Sequence, residues 1–288
     1  MSNQELDVSS SSNIDIGFHP IHTAHAIEQV VFALQFASPL QGESFSALLE
    51  NADRITADLP AHAILSQQGF MINPHSGVVP FQPNGIITGK AFQRVAPNGS
   101  IEKALRVEQN SLSFHTSIYT RWMDVWSAAR QFFEPLAPLY AAQSQLTQIG
   151  LTYIDKFEWF GDLELCDPVV LLRPSSTYLS PNVYSAKDLW HSHTGSFIRT
   201  DSQTKRLLNV NVDYVDDNRP DGQLRRVIAI TTALTDMLNQ PSYEPADVTP
   251  DTCVSFVERH MQQLHIVNKE VLGSIITEKM NQRIALTN

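Results

Sequence analysis

An α+β fold, with antiparallel β-sheet packed against long amphipathic helices, is predicted by three features of this chain. Between Leu105 and Phe160 an alternating stretch, a long aromatic stripe at helical spacing and a second alternating stretch follow one another. This segment holds Trp122, Trp126 and Trp159, three of the chain's four tryptophans. Two more alternating runs, Arg206 to Val215 and Leu224 to Leu234, flank the turn sequence Asp216-Asp217-Asn218-Arg219-Pro220-Asp221-Gly222. Thr249-Pro250-Asp251 then opens a helical pattern, with Thr as N-cap, Pro at the first helical position and an acid in the first turn.

Taken in order, residues 1–13 read as a disordered tail carrying four consecutive serines, Ser9 to Ser12. Ala26 to Phe36 is the first strand, and Pro39 ends its run. Glu43 to Leu59 puts Phe45, Leu48, Leu49, Ala52, Ile55 and Leu59 on one helical stripe, which Pro60 closes. Gln67 to Gly89 is broken by Pro74, Gly77, Pro80, Pro83 and Gly85 into short strands and turns. Lys90 to Val95 and Leu105 to Thr116 pair across Pro97-Asn98-Gly99-Ser100, since Asn-Gly between extended runs favours a hairpin. Leu112 and Phe114 share one face of that strand, and Ser111, Ser113 and His115 the other.

A helix follows from about Thr120, its stripe made by Trp122, Val125, Trp126, Ala129, Phe132, Phe133, Leu136, Leu139 and Tyr140. Pro135 and Pro138 predict a kink or an end near Glu134, because proline removes a donor and clashes with the preceding turn. Each large side chain on the stripe is worth roughly 1.5–3 kcal/mol when buried, so the helix must lie on a broad apolar surface. Unbroken helical register makes that stripe a helix–sheet core rather than an aromatic cage.

Leu146 to Phe157 is the returning strand, with Ile149, Leu151 and Tyr153 on one face. Asp162 to Trp190, with Pro168, Pro174 and Pro181, has little periodicity and is expected to cover an edge of the sheet. Gly195 to Ser202 is extended. The Arg206–Leu234 hairpin places Leu208, Val210, Val212 and Tyr214 on one face, opposite Ile228, Ile230, Thr232 and Leu234. The helix after Thr249 buries Cys253, Phe256, Val257, His260, Met261 and Leu264; a last helix runs from about Lys269 to Arg283. Residues 14–160 and 161–288 are thus expected to form two α+β halves of one intimate unit, each with strands followed by a long helix but with no repeat at the level of residues.

The chain has 288 residues with 42% apolar content, enough for a real core. No apolar run approaches the ~20 residues of a membrane span. The acidic N-terminus lacks the basic and apolar regions of a signal peptide, which predicts a cytoplasmic protein. A net charge of −10 argues against non-specific binding of nucleic acid, which needs a basic surface. The paired bases Lys205-Arg206 and Arg225-Arg226 lie in strands and read as a solvated face. Cys166 and Cys253 are too few and too far apart for a disulfide framework or a cysteine-rich zinc site, and Cys253 reads as a small core residue.

Several stretches together resemble a sporadically distributed family of bacterial proteins with no assigned activity. Ile27-Glu28-Gln29-Val30-Val31-Phe32 is similar to the family's opening strand, with its acid before a Val-Phe pair. Tyr119, then a helix, then Leu151-Thr152-Tyr153-Ile154-Asp155 is similar to its Tyr, helix and Leu-x-Tyr-x-Asn strand, with Asp155 where Asn is commoner. The strand of Asp213 and the late Leu264-His265 also fit, so the resemblance covers most of the chain. It implies no activity, cofactor or catalytic residue. It implies a patchy distribution, of the kind seen for mobile or defence-island genes.

Candidate sites from residue chemistry are sparse. His19, His22 and His25 form H-x-x-H-x-x-H, but Pro20 breaks a helix there and no carboxylate stands at ligand spacing. His191 and His193 share a face if extended, yet Asp188 or Asp201 as third ligand is a guess. Asp213, Asp216, Asp217 and Asp221 gather at a turn, without the glycine and terminal glutamate of an EF-hand. No P-loop, dinucleotide-binding glycine motif or serine elbow occurs; Thr194-Gly195-Ser196-Phe197 lacks the second glycine. No catalytic, cofactor-binding or metal-binding residue is therefore assigned.

Three readings of function follow. The first is a non-enzymatic binding or complex-forming protein, such as a sensor or accessory subunit in bacterial defence. The second is a binder of a small ligand in a cavity between sheet and helix. The third is an enzyme using the Asp213–Asp221 region or the histidines. Strand edges with no run of protective lysines predict a homodimer or a protein partner.

Overall fold

The structure, a computed structural model, describes residues 15–67, 70–73, 77–80, 86–218 and 222–286. The tail expected over residues 1–13 lies outside them, as does Asp221. Strands β1 (Gly17–Pro20), β2 (Ile27–Phe36), β3 (Ala61–Gln67), β4 (Phe70–Asn73), β5 (Gly77–Pro80), β6 (Ile86–Val95), β7 (Ile101–Glu108) and β8 (Ser111–Thr116) precede β9 (Leu146–Phe160). Strands β10 (Trp190–Arg199), β11 (Thr204–Asn218) and β12 (Leu224–Leu238) follow it. Helices α1 (Gly42–Ile55), α2 (Trp122–Ala141), α3 (Pro250–Ile275) and α4 (Glu278–Arg283) complete the element list. The predicted α+β class holds, although only α2 and α3 are long, at 20 and 26 residues.

All strands but β4 and β5 join one antiparallel sheet, ordered β10-β11-β12-β9-β2-β8-β7-β6-β3, with β1 on the far end of β9. β4 and β5 pair with each other. The seam is β2 against β9. Outward from it the order is β8-β7-β6-β3 on one side and β12-β11-β10 on the other. On each side the seam strand precedes three hairpin-linked strands, β6-β7-β8 or β10-β11-β12, and a long helix closes the run, with α1 and β3 to β5 intervening after β2. α2 lies over β2 and β8; α3 lies over β9 and β12; the two helices pack against each other.

The period-two pattern puts one face of the sheet under these helices. Val30, Phe32, Leu34 and Phe36 of β2 are buried, as are Ile149, Leu151, Tyr153, Asp155 and Phe157 of β9. The aromatic stripe of α2 fills the space above them: Phe36 stacks on Tyr140 at 4.5 Å and Phe114 tilts against Phe132 at 5.3 Å. Thr249 and Thr252 form a reciprocal capping box at the start of α3, after which Pro250 leads the helix.

Four expectations need correction. Leu105 to Thr116 is not one strand; it breaks at Gln109-Asn110 into β7 and β8, which pair with each other. Tyr140 fixes that turn by donating to the Glu108 and Ser111 carbonyls. α2 does not end near Glu134 but continues through Pro135 and Pro138, because Leu136, Ala137 and Tyr140 beyond it are buried in the core. The two late helices are instead one long α3, whose inward stripe continues unbroken through Leu264, Asn268, Val271, Leu272 and Ile275. Asp162 to Trp190 packs on the C-terminal end of α3 rather than only along an edge: Arg173 donates to the Gly273, Ile275 and Ile276 carbonyls, and Leu171 and Leu172 are fully buried. Among the described residues no helix is long and apolar enough to cross a membrane.

Candidate ligand cavity

The residues singled out by motif do not form a common site. His19 donates from Nε2 to the Asp15 carbonyl and accepts at Nδ1 from Arg283. His22 and His25 lie ring to ring at 4.7 Å, but His25 turns inward. His191 and His193 are exposed on the edge strand β10, opposite Asp213 and Asn211. Asp213 accepts from Asn211 at 2.6 Å, Asp216 pairs with Arg226, and Asp217 pairs with Arg225 at 2.8 Å. The paired bases therefore do not make a solvated face. Arg225 and Arg226 neutralise the acidic turn, and Arg206 is buried against Asp236. No three His, Cys, Asp or Glu side chains gather at metal-holding distance among the described residues.

A different set of residues converges between the sheet and the two long helices. A β-bulge at Glu28, where Ile27 faces Asp155 but Gln29 faces Ile154, kinks the start of β2 beside β9. Glu28 is turned outward and pairs with Lys156 at 2.6 Å. The bulge leaves Asp155 on the inner face, next along β9 from Tyr153. His25 enters from the segment before β2, and Tyr119, Arg121 and Trp122 from the start of α2. His265, Asn268, Lys269 and Leu272 enter from one face of α3, at spacings of three and four residues. Ile284 to Leu286 closes one side, held by the Leu286 amide on the Asn281 carbonyl. Together they enclose a cavity of about 290 Å³.

The walls of the cavity are ordered. His265 stacks on Trp122 at 4.2 Å with the rings parallel, and its Nδ1 is hydrogen-bonded to the Tyr153 hydroxyl at 2.9 Å. Trp122 Nε1 donates to Gln262 Oε1 at 2.6 Å, tying α2 to α3 at the cavity mouth. Tyr119 packs edge-on against Tyr153. His25 Nε2 donates to the Tyr119 carbonyl at 3.1 Å, and Nδ1 makes no well-formed hydrogen bond, with the Ile27 backbone its nearest polar neighbour.

The floor is where polar chemistry is left over. Among the described residues eight buried side-chain polar atoms have no partner in the protein, and four of them line this one cavity: both Asp155 oxygens, His25 Nδ1 and Asn268 Nδ2. Buried polar groups are normally paired, so such a concentration needs a cause. Burial alone, with no opposing cation or donor, pushes the Asp155 carboxyl up to about 7. Burial pushes the Tyr119 hydroxyl up to about 12. Burial first, then the charge of Lys269, pulls His265 down to about 4. Burial first, then His22, lowers His25. Both imidazoles are therefore neutral at pH 7.

A second hollow, of about 580 Å³, opens beside the other end of α3 around Asp236. Asp236 is just as buried as Asp155, yet fully satisfied. Arg206 donates to it twice, at 2.7 and 3.0 Å, and His260 Nδ1 lies 2.7 Å away. Burial alone would raise this carboxyl, but the hydrogen bonds from His260 and Arg206 outweigh it and hold it below the usual range. That cluster ties β11, β12 and α3 together and has no polar atom to spare on its floor.

No protein-family model matches the chain, and no curated protein matches it. Tyr119, Tyr153, Asp155 and His265 all line the cavity, and Glu28 forms the bulge at its edge. Composition and spacing did not single out His25 as more than part of a histidine run, or Asn268 at all. The available signal was Asp155 itself, a charge at an inward position of an otherwise apolar strand face.

Proposed function

We propose that this protein binds a small organic molecule in the cavity between β9, α2 and α3. The observation that carries the reading is the set of unpartnered buried atoms on Asp155, His25 and Asn268 around one enclosed space. Leaving a polar group buried and unpaired costs roughly 1–3 kcal/mol, and a ligand that pairs them recovers this. Rigid aromatic walls and a few convergent polar groups are the usual make-up of such a site. The test is native mass spectrometry of the protein purified gently from its own host, beside a denatured sample. A non-covalent adduct of one to a few hundred daltons, lost in an Asp155→Leu variant that keeps its native circular dichroism, supports the reading. Bare protein at every preparation counts against it.

A second reading, self-association, has its own observation. β10 is an edge strand, and it exposes Phe197 and Ile198 at 59% and 49%, with Lys205 of β11 over the Phe197 ring and Arg199 as the charge at the strand's end. Edge strands that expose apolar side chains can pair with other chains. Light scattering at micromolar concentration tests it: a dimer mass that Ile198→Lys reduces to a monomer supports pairing through β10, and a monomer in the unaltered protein excludes it.

A further inference from the structure

The polarity of the cavity narrows the ligand. Its depth holds a carboxyl and its mouth two cations. At the bottom stands Asp155, 1% exposed, with neither carboxyl oxygen hydrogen-bonded, so that a ligand cation beside it would hold it ionised with both oxygens accepting. Toward solvent stand Lys269, half-buried, and Arg121, exposed and paired at 3.4 Å with Asp124 of the first turn of α2, a pair at the surface that an incoming anion can share. Lys269 makes no ion pair among the described residues, and its charge is felt by His265. Arg121 is also the N-cap of α2, a 20-residue helix, and makes no capping hydrogen bond from its side chain. The positive end of the α2 dipole therefore opens beside the same mouth, where Thr120, Arg121 and Trp122 line the cavity. Asn268 Nδ2, 3% exposed and unpaired, supplies a donor between the two ends.

We infer that the ligand is a small zwitterion of amino-acid size, its ammonium end held by Asp155 and its anionic end held at the mouth by Lys269, Arg121 and the start of α2. This rests on the binding function proposed above and specifies it. A simple amine would satisfy Asp155 but must pass two cations and leaves Lys269 without a counter-charge. A simple acid would suit the mouth but meets a buried carboxyl. A zwitterion answers both ends, because charge-assisted hydrogen bonds form at each. The volume of about 290 Å³ lies at the small end of ligand pockets, which run from about 300 to 1,000 Å³.

The experiment is calorimetric titration of the whole protein with three matched panels: α- and ω-amino acids, their decarboxylated amines, and their N-acetylated acids, with free nucleobases as neutral controls. At least one amino acid is expected to bind about tenfold or more tighter than its matched amine and N-acetyl acid, the factor expected when one charge-assisted contact is lost. Asp155→Asn is expected to remove most of that binding. The double change Arg121→Met, Lys269→Met, at positions outside the apolar core, is expected to erase the advantage of the amino acid over its amine while leaving the fold intact. Amines, acids or nucleobases binding as well as the amino acids would overturn the zwitterion and leave the cavity a ligand site. A host-derived adduct whose mass and fragmentation show no amine or no acid would do the same. Silence of all panels together with bare protein in native mass spectrometry would overturn the ligand site itself.

Discussion

Asp155 and Asp236 are the same residue on the same face of the same sheet, 1% and 0% exposed, and their surroundings give them opposite roles. Asp236 is held ionised by Arg206 and His260. Removing it strands a buried guanidinium, so Asp236→Ala is expected to cost roughly 3–5 kcal/mol in urea denaturation. Asp155 has no such partner, and its carboxyl is raised to about 7 from an ordinary 3.8. Below pH 3.8 both folded and unfolded chains keep the proton, and the residue costs nothing. Between pH 3.8 and 7 only the unfolded chain loses it, so folding stability falls as pH rises; above 7 the loss is complete. Asp155→Asn is therefore expected to be nearly neutral near pH 4 and to stabilise the protein by up to ~4 kcal/mol at pH 8, at about 1.4 kcal/mol per pH unit across that gap. Urea titrations of both proteins at the two pH values measure it. Equal effects at both would mean that Asp155 is not a desolvated carboxyl.

The cavity depends on how the elements around it are held. α2 and α3 are joined by Trp122 to Gln262, by Trp126 to Glu258 at 3.3 Å and by Arg130 to Glu258 at 3.2 Å. The strands beneath α2 leave little room for error. Gly89 of β6 passes β7 so closely that an added Cβ would stand 2.3 Å from the Val107 carbonyl oxygen and 2.9 Å from Glu108 Cα. Both neighbours are backbone and cannot rotate away. Gly89→Ala is expected to destabilise by about 1–3 kcal/mol, as overpacking does, with the loss visible as a lower midpoint in thermal or urea unfolding. An unchanged midpoint would mean that β6 and β7 slide apart freely at this position. The loop at Pro97-Asn98-Gly99-Ser100 was readable because Asn-Gly is a strong local signal; Gln109-Asn110 was not, because its turn is fixed from outside by Tyr140.

Across the molecule, β9 is the element on which both sides depend. It pairs with β12 over Gln148–Glu158 and with β2 over Leu146–Asp155, and its Tyr153 and Asp155 supply the cavity floor. Residues 161–288 without it would expose one edge of β12 and the apolar underside of α3. That fragment, expressed alone, is expected to aggregate or to lack the sharp thermal transition of the whole chain, and adding residues 14–160 in trans is expected to restore it. A fragment that unfolds cooperatively by itself would show that the seam is a contact between two independent units. In a chain of net charge −10, the two cations Arg121 and Lys269 at the mouth are a local feature of two elements meeting.

Local periodicity was enough to read the α+β class, the strand faces of β8, β9, β11 and β12, the stripe of α2 and the capped start of α3. These properties depend on residues one to four apart, where sterics and hydrogen bonding act directly. The same local rules left open an end to α2 at Pro135, which does not occur because burial of the next turn outweighs a local helix breaker, and they misjudged Arg206, because its partner lies on another strand. The cavity was beyond their reach for a stronger reason. Alternation tells which face Asp155 occupies but not what stands across from it, and in the sequence Asp155 and Asp236 are each an acid in an apolar row. Only the folding of β9 under α2 and α3 leaves one unpaired and the other bound, since desolvation and pairing are set by neighbours distant in the chain.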